Sequence, residues 1–169
     1  MIFRNSELED LDKIFELYDE ATLYQKKVTT KSWRGFERSQ VITEIDERRH
    51  YVVLEDEEIV CTFVITYNDP IIWEDGATAA AIYIHRIATN PKYRGNSYVQ
   101  KIVDWTKELA IADNKQLLRL DTHSGNDRIN AYYVSCGFTY MGVRSIKWTP
   151  DLPEHYKEGS FSLFELEVQ

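Results

Sequence analysis

Leu8, Leu11, Ile14, Phe15, Tyr18 and Ala21 recur at three- and four-residue intervals with acidic residues between them, the spacing of one apolar face of a helix. Ser6-Glu7-Leu8-Glu9 ahead of this run has the form of a capping box, and residues 2 to 4 form a short strand before it. A second helical stretch covers Phe36 to Arg48. From His50 the period changes to that of strands: His50 to Glu55, an acidic turn at Asp56-Glu57-Glu58, then Ile59 to Tyr67, which together predict a hairpin. Ala79 to Thr89 is nearly continuously apolar and predicts a central strand covered on both faces. Pro91 ends it. Val99, Ile102, Val103, Thr106, Leu109 and Ala110 place a helix over Ser97 to Ala112. Leu117 to Thr122 is the next strand, Asn126 to Ser135 a helix stopped by Gly137, and Phe138 to Trp148 and Phe161 to Val168 are two closing strands. The order β, α, α, β, β, β, α, β, α, β, β describes an α/β fold with a mixed sheet and helices on both faces. No repeat, low-complexity tract or linker divides the chain, so residues 1–169 are read as one domain.

Composition narrows what such a domain can do. With 20 Lys and Arg against 28 Asp and Glu the formal charge is -8, which argues against a general nucleic-acid binder. The longest dense apolar run, Ala77 to Ile84, is far short of the ~20 residues a spanning helix needs. The first ten residues lack the basic start and apolar stretch of a signal peptide, so the expected location is cytoplasmic, away from membranes. Cys61 and Cys136 have no paired spacing and read as buried thiols, and the four histidines give no metal pattern. The charge is unevenly spread. His85 to Lys107 holds five Lys and Arg against one Asp, a local +4 that leaves the rest of the chain at -12.

That basic segment carries the chemistry. A strand ending at Thr89 runs through Asn90-Pro91-Lys92-Tyr93-Arg94-Gly95-Asn96-Ser97 into a helix. A glycine-bearing turn that opens a helix directs several free backbone N–H groups at one point, and the helix dipole adds positive potential there. Arg94 adds a charge-assisted bond to any phosphate held at that point. Neither a P-loop nor a G-x-G-x-x-G pattern is present.

A second strand, polar turn, helix and glycine stop runs from Arg119 to Phe138. Here the sequence resembles the GNAT superfamily of acyl-CoA-dependent N-acetyltransferases. Arg86-Ile87-Ala88-Thr89, Pro91 and Tyr93-Arg94-Gly95 are similar to that family's cofactor motif, and Asn126, Tyr133 and Gly137-Phe138 to its N-x6-Y-x3-G-F segment. With the element order, the resemblance covers nearly the whole chain and implies the GNAT-like fold, with a mostly antiparallel central sheet. It implies acetyl-CoA as co-substrate, without a metal, and transfer of acetyl to a primary amine of a small molecule or peptide, the enzyme standing free or as a homodimer. Ile87, Ala88 and Thr89 match the strand that contacts pantetheine and the thioester. Arg94, Gly95, Asn96, Ser97, Tyr98 and Val99 match the pyrophosphate loop, and Asn126 joins the cofactor contacts. Tyr133 matches the general acid for the leaving thiolate.

Two departures stand out. The family loop usually reads Q/R-x-x-G-x-G/A, but Ser97 and Val99 replace its two small positions, each adding a side chain beside the cofactor. The strand glutamate that helps deprotonate the amine in some members is missing from Ala79 to Ile84. His85 is then the natural base, with a reference pKa of about 6.5, and His123 and water are the alternatives. Acceptor contacts are expected from the variable parts, chiefly Trp33, Trp73 and His123. The second reading from these departures is a catalytically silent CoA-binding sensor or interaction module; Tyr133-dependent thiol release separates the two.

Overall fold

The computed structural model describes residues 1–29, 31–152, 156–157 and 159–168. Seven strands form one mixed sheet in the order β1-β2-β3-β4-β5-β7-β6. β1 (Ile2–Asn5), β2 (His50–Glu55) and β3 (Glu58–Thr66) pair antiparallel in sequence. β4 (Ala81–Thr89) runs parallel to β5 (Leu117–His123), while β7 (Ser160–Glu167) is antiparallel to β5 and to β6 (Thr139–Ser145). Four α-helices complete the described residues: α1 (Leu11–Val28), α2 (Arg38–Asp46), α3 (Tyr98–Ala112) and α4 (Asp127–Ser135). No helix among them is long and apolar enough to cross a membrane.

These residues group into two compact units. The first takes Met1–Ile65 and His85–Tyr98; the second takes Thr66–Ile84 and the chain from Val99 onward. β4 therefore gives its first four residues to one unit and its last five to the other. In the first unit Leu11, Ile14, Leu17 and Tyr18 of α1 meet Val41 and Ile45 of α2 and Ala88 of β4 in one buried cluster. Each such fully buried aliphatic side chain contributes about 1.5–3 kcal/mol by leaving water. In the second unit Ile72, Trp73, Ala81, Tyr83, Tyr156 and Phe161 form the cluster.

Several element ends differ from the sequence expectation for local reasons. The capping box lies one residue later than Ser6–Glu9: the Glu7 N–H donates to Asp10 Oδ2 at 2.8 Å, and Glu7 in turn receives the Asp10 N–H. Ser6 is buried and its hydroxyl is taken by His50 Nδ1 at 2.7 Å, a partner 44 residues away that no local pattern reveals. The hairpin turns on two residues rather than three, because Asp56 and Glu57 both take positive φ (47° and 67°), the geometry that matches strand twist. β4 begins at Ala81 instead of Ala79; Ala81 to Ile84 and Ala88 are buried, as a strand covered on both faces requires, but His85 to Ile87 are half-buried. β6 ends at Ser145, three residues short of the expected Trp148. Between β3 and β4 the chain folds over Gly76. A Cβ there would lie 2.2 Å from the Asp69 carbonyl oxygen, so only glycine lets the Asp69 N–H to Gly76 O bond (3.0 Å) close the loop.

Candidate active site

The strand, turn and helix singled out by sequence are present in the first unit and the start of α3. Asn90 ends β4 by accepting the Lys92 N–H on its side chain at 3.1 Å, and Pro91 opens a single 3-10 turn. The chain then exposes Arg94, Gly95, Asn96 and Ser97 in succession before α3 begins at the buried Tyr98. Gly95 has φ +86° and Ser97 φ +58°. Two left-handed residues within three positions swing successive N–H groups to one side, and the first turn of α3 adds amides that have no partner within the helix. Ser97 therefore keeps the backbone conformation that glycine ordinarily supplies, at a steric cost of about 1 kcal/mol.

The side chains around this turn are tied down. Asn96 Nδ2 donates to the Tyr93 carbonyl at 2.9 Å, and the Tyr98 hydroxyl donates to Glu55 Oε1 at 3.1 Å. Tyr98 thus offers a ligand its backbone, while its ring is an anchor. The Arg94 guanidinium lies 4.2 Å from the centre of the Tyr24 ring. Upstream, Ala88 packs in the core, and the Thr89 hydroxyl sits 3.5 Å from Cys61 Sγ. Burial pushes the Cys61 thiol up to about 12, so it is an inert core group at neutral pH. Val99, half-buried, follows Tyr98 in the first turn of α3.

Arg86 is the unexpected residue of this strand. It has φ +49° inside β4, between the half-buried His85 and Ile87. Its guanidinium pairs with Glu44 of α2 and donates to the Tyr18 hydroxyl at 3.2 Å. Tyr18 in turn contacts His50 Nε2 at 2.8 Å. Burial first, and then the nearby Arg86 charge, hold the His50 pKa down to about 3, so its ring is neutral. Trp33 stands next to this network, edge-on to Tyr18 and Phe36 with centroids 6.0 and 5.4 Å away, and it is half-buried.

In the second unit α4 carries Tyr133. Asn126 is the N-cap of that helix, its Oδ1 accepting the Ile129 N–H at 3.1 Å, so its side-chain oxygen is committed to the backbone. Gly137, at φ +104°, ends the helix and lets the Phe138 N–H return to the Tyr133 carbonyl at 3.2 Å. The Tyr133 ring rests against Phe164 and Phe138 at 5.3 and 6.4 Å. Burial, reinforced by Tyr132, Cys136 and Asp121, raises its hydroxyl pKa above the ordinary tyrosine value. The group therefore stays protonated at neutral pH.

Trp73 is buried, and the Arg119 guanidinium lies 4.2 Å from its ring centre. That cation is fixed by a bidentate pair with Asp75 (2.7 and 3.0 Å), by Glu165 (2.9 Å) and by the Tyr83 hydroxyl (3.0 Å). One face of Trp73 is thereby occupied by the protein's own cation. His123, half-buried, tilts against Phe161 with centroids 5.3 Å apart. Two acids with no catalytic role assigned from the sequence stand together here. Carboxylate oxygens of Asp69 and Asp121 lie within 4.8 Å of each other. Burial pushes Asp69 up to about 6, and burial together with the Asp69 charge pushes Asp121 up to about 7. The available signal was an acid at the middle of a strand, in Leu120-Asp121-Thr122, where a solvated carboxylate is out of place.

Comparison with known proteins gives one consistent result. Residues 9–138 match the Acetyltransferase (GNAT) family. An uncharacterized N-acetyltransferase of Bacillus subtilis, YesJ, is 24% identical over 143 residues, covering 80% of this chain and 79% of its own. A GNAT-family acetyltransferase structure from Listeria monocytogenes superposes with a TM-score of 0.76 at 22% identity, covering 98% of this chain and 94% of its own. The Salmonella typhimurium structure of yncA, described as a putative acetyltransferase with its cofactor acetyl-CoA, superposes with a TM-score of 0.69 at 15% identity over all of this chain and 94% of the other. The turn before α3, the Tyr133 helix and a family match spanning most of the sequence agree: this chain belongs to the GNAT acetyltransferase family and is an acyltransferase.

Proposed function

We propose that the protein transfers an acetyl group from acetyl-CoA to a primary amine of a small molecule or peptide by direct attack. The observation that carries the reading is the turn at Gly95 and Ser97, whose left-handed residues keep an anion-binding backbone in front of α3 although the sequence lacks the usual small residue at position 97. The diphosphate of CoA is the matching ligand, with Arg94 as its side-chain contact. Asn96, Tyr98 and Val99 contribute backbone, and Ile87, Ala88 and Thr89 receive the pantetheine and the thioester. Asn126 serves by capping the helix that presents Tyr133.

In the reaction the amine nitrogen forms a bond to the thioester carbonyl carbon, and the carbonyl oxygen becomes an oxyanion. Backbone N–H groups of Ile87 and Ala88 stabilise that charge. The C–S bond then breaks, and the CoA thiolate takes its proton from the Tyr133 hydroxyl, which its raised pKa keeps loaded. The proton lost by the amine goes to a base drawn from His85, His123 and water, and Asp121, whose pKa burial raises to about 7, is a further candidate. Trp33, Trp73 and His123 are the candidate acceptor contacts. An acidic chain, -12 outside the basic segment, suits an acceptor that arrives as a cation.

The test combines calorimetry with acetyl-CoA and a thiol-release assay over a panel of small amines and peptides. Wild-type protein binds acetyl-CoA and releases thiol with some of the amines. Tyr133→Phe binds acetyl-CoA as before and turns over at least ~10²-fold more slowly, the usual worth of a general acid. Absence of acetyl-CoA binding overturns the reading, and unchanged turnover in the variant removes the role of Tyr133.

A further inference from the structure

Among the described residues six non-glycine positions have positive φ: Arg48, Asp56, Glu57, Arg86, Ser97 and Asn114. Five of them lie in turns between elements, and Arg86 alone lies inside a strand. A left-handed residue there breaks the ladder and rotates the peptides that follow it, so something must hold it against relaxation to extended backbone. The only part of Arg86 able to do so from outside the strand is its side chain. The guanidinium is held by Glu44 of α2 and Tyr18 of α1, and it lies 4.7 Å from the centre of the Phe36 ring. Both ionic side chains are buried, at 10% exposed for Arg86 and 7% for Glu44.

The network continues in an order that satisfies its donors. The Arg86 Nη1–H donates to the Tyr18 oxygen, the Tyr18 O–H donates to His50 Nε2, and His50, neutral, donates its Nδ1–H to Ser6 Oγ. Through this network α1, α2, β2 and the segment at Ser6 are linked to one arginine of β4. A buried ion pair is a weak source of net stability, and Glu44 Oε1 is buried with no hydrogen bond among the described residues. What such a pair supplies well is a single fixed conformation at the atoms that it grips.

We propose that Arg86 is a positioning residue. Clamped by Glu44 and Tyr18, it holds the left-handed backbone in β4 and thereby sets the direction of the Ile87 and Ala88 N–H groups that receive the acetyl carbonyl. This rests on the acetyl-CoA reading above, but it assigns to α1 and α2 a task that reading leaves open. The clamp acts on the thioester end of the co-substrate only. Diphosphate binding at Gly95 and Ser97 does not depend on it.

The experiment compares acetyl-CoA with CoA as probes of ¹⁵N-labelled protein, and measures both affinities by calorimetry. In wild type the amide resonances of Ile87 and Ala88 respond differently to the two probes, because only one carries the carbonyl. In Glu44→Gln and in Tyr18→Phe that difference collapses and acetyl-CoA binding weakens by up to about tenfold relative to CoA. Gly95 and Ser97 shift as in wild type, and CoA affinity holds. Arg86→Lys, which keeps the charge but loses the fork, sits between wild type and Glu44→Gln. A purely structural role would lower the melting temperature of the variants while leaving the Ile87 and Ala88 response and the acetyl-CoA to CoA ratio unchanged, and that result overturns the proposal. Wild-type protein that binds neither probe overturns the acetyl-CoA reading itself, and the clamp with it.

Discussion

Ser97 holds a backbone conformation that glycine adopts more readily. At φ +58° it occupies glycine's region of backbone space, so Ser97→Gly relieves strain while enlarging the freedom of the unfolded chain. The two effects largely cancel, so the net expectation is a change of no more than about 0.5 kcal/mol in thermal or urea unfolding with CoA affinity retained. Ser97→Val goes the other way, since a β-branched residue resists positive φ, and both stability and CoA affinity fall. Asp121 allows a pH prediction. Its folded pKa is raised to about 7 from a carboxyl's usual value, so between about pH 4 and 7 the unfolded chain gives up this proton while the folded protein keeps it. Its contribution to stability is present below that window and is lost as the pH rises through it. His50 contributes with the opposite slope: its pKa is depressed to about 3, so acidification below about pH 6.5 favours the unfolded chain. The melting-temperature difference between Asp121→Asn and wild type therefore grows in the variant's favour from pH 4 to pH 7. A difference that is flat across this range contradicts the assignment. At this scale Gly137 could be read as a helix stop from the residues themselves, while Tyr133 and Asn126 were picked out by the family resemblance. The sequence concealed the Ser6–His50 and Arg119–Asp75 contacts because nothing in the order of residues reports a partner 44 positions away.

Elements were legible where one period ran long enough to be counted. α1 and α3 came directly from their apolar spacing, and Gly137 marked the end of α4. The ends that moved were decided by tertiary contacts. β4 lost Ala79 and Ala80 to the loop that closes on Gly76, and β6 stops at Ser145 where its pairing with β7 stops, at Ser160. The left-handed break at Arg86 was invisible, because arginine carries no conformational signature and the strand around it reads as continuous. The loop itself is testable. Gly76→Ala forces a methyl into the Asp69 carbonyl at 2.2 Å, so the backbone must shift, and a loss of about 1–3 kcal/mol in chemical unfolding is expected. Retained stability would mean that the loop has a second way to close.

For the whole molecule, the arrangement of charge matters more than its sum. On the proposed reading a chain of net -8 must accept a polyanionic co-substrate, and the +4 segment from His85 to Lys107 is the part of the sequence whose charge suits that task. Binding of CoA should therefore weaken with added salt, as screening shortens the reach of these cations to about 8 Å near physiological ionic strength. Arg94→Ala should lower CoA affinity about tenfold at low salt and flatten the salt dependence, both read by calorimetry from about 0.05 to 0.5 M salt. A variant with the wild-type salt slope would place the electrostatic attraction elsewhere on the surface. The mixed α/β class and its element order could be read from the chain, since they follow from local periods. The division of β4 between two compact units could not, because it depends on where contacts concentrate after folding.

The sealed thiol of Cys61 makes the protein its own clock. With no exposed surface and a pKa near 12, it gives an alkylating reagent nothing to react with until the surrounding core parts. In a Cys136→Ser background, the rate at which Cys61 is labelled reports the opening of β3, the neighbour of β4 in the sheet, with no probe attached and no substrate identified.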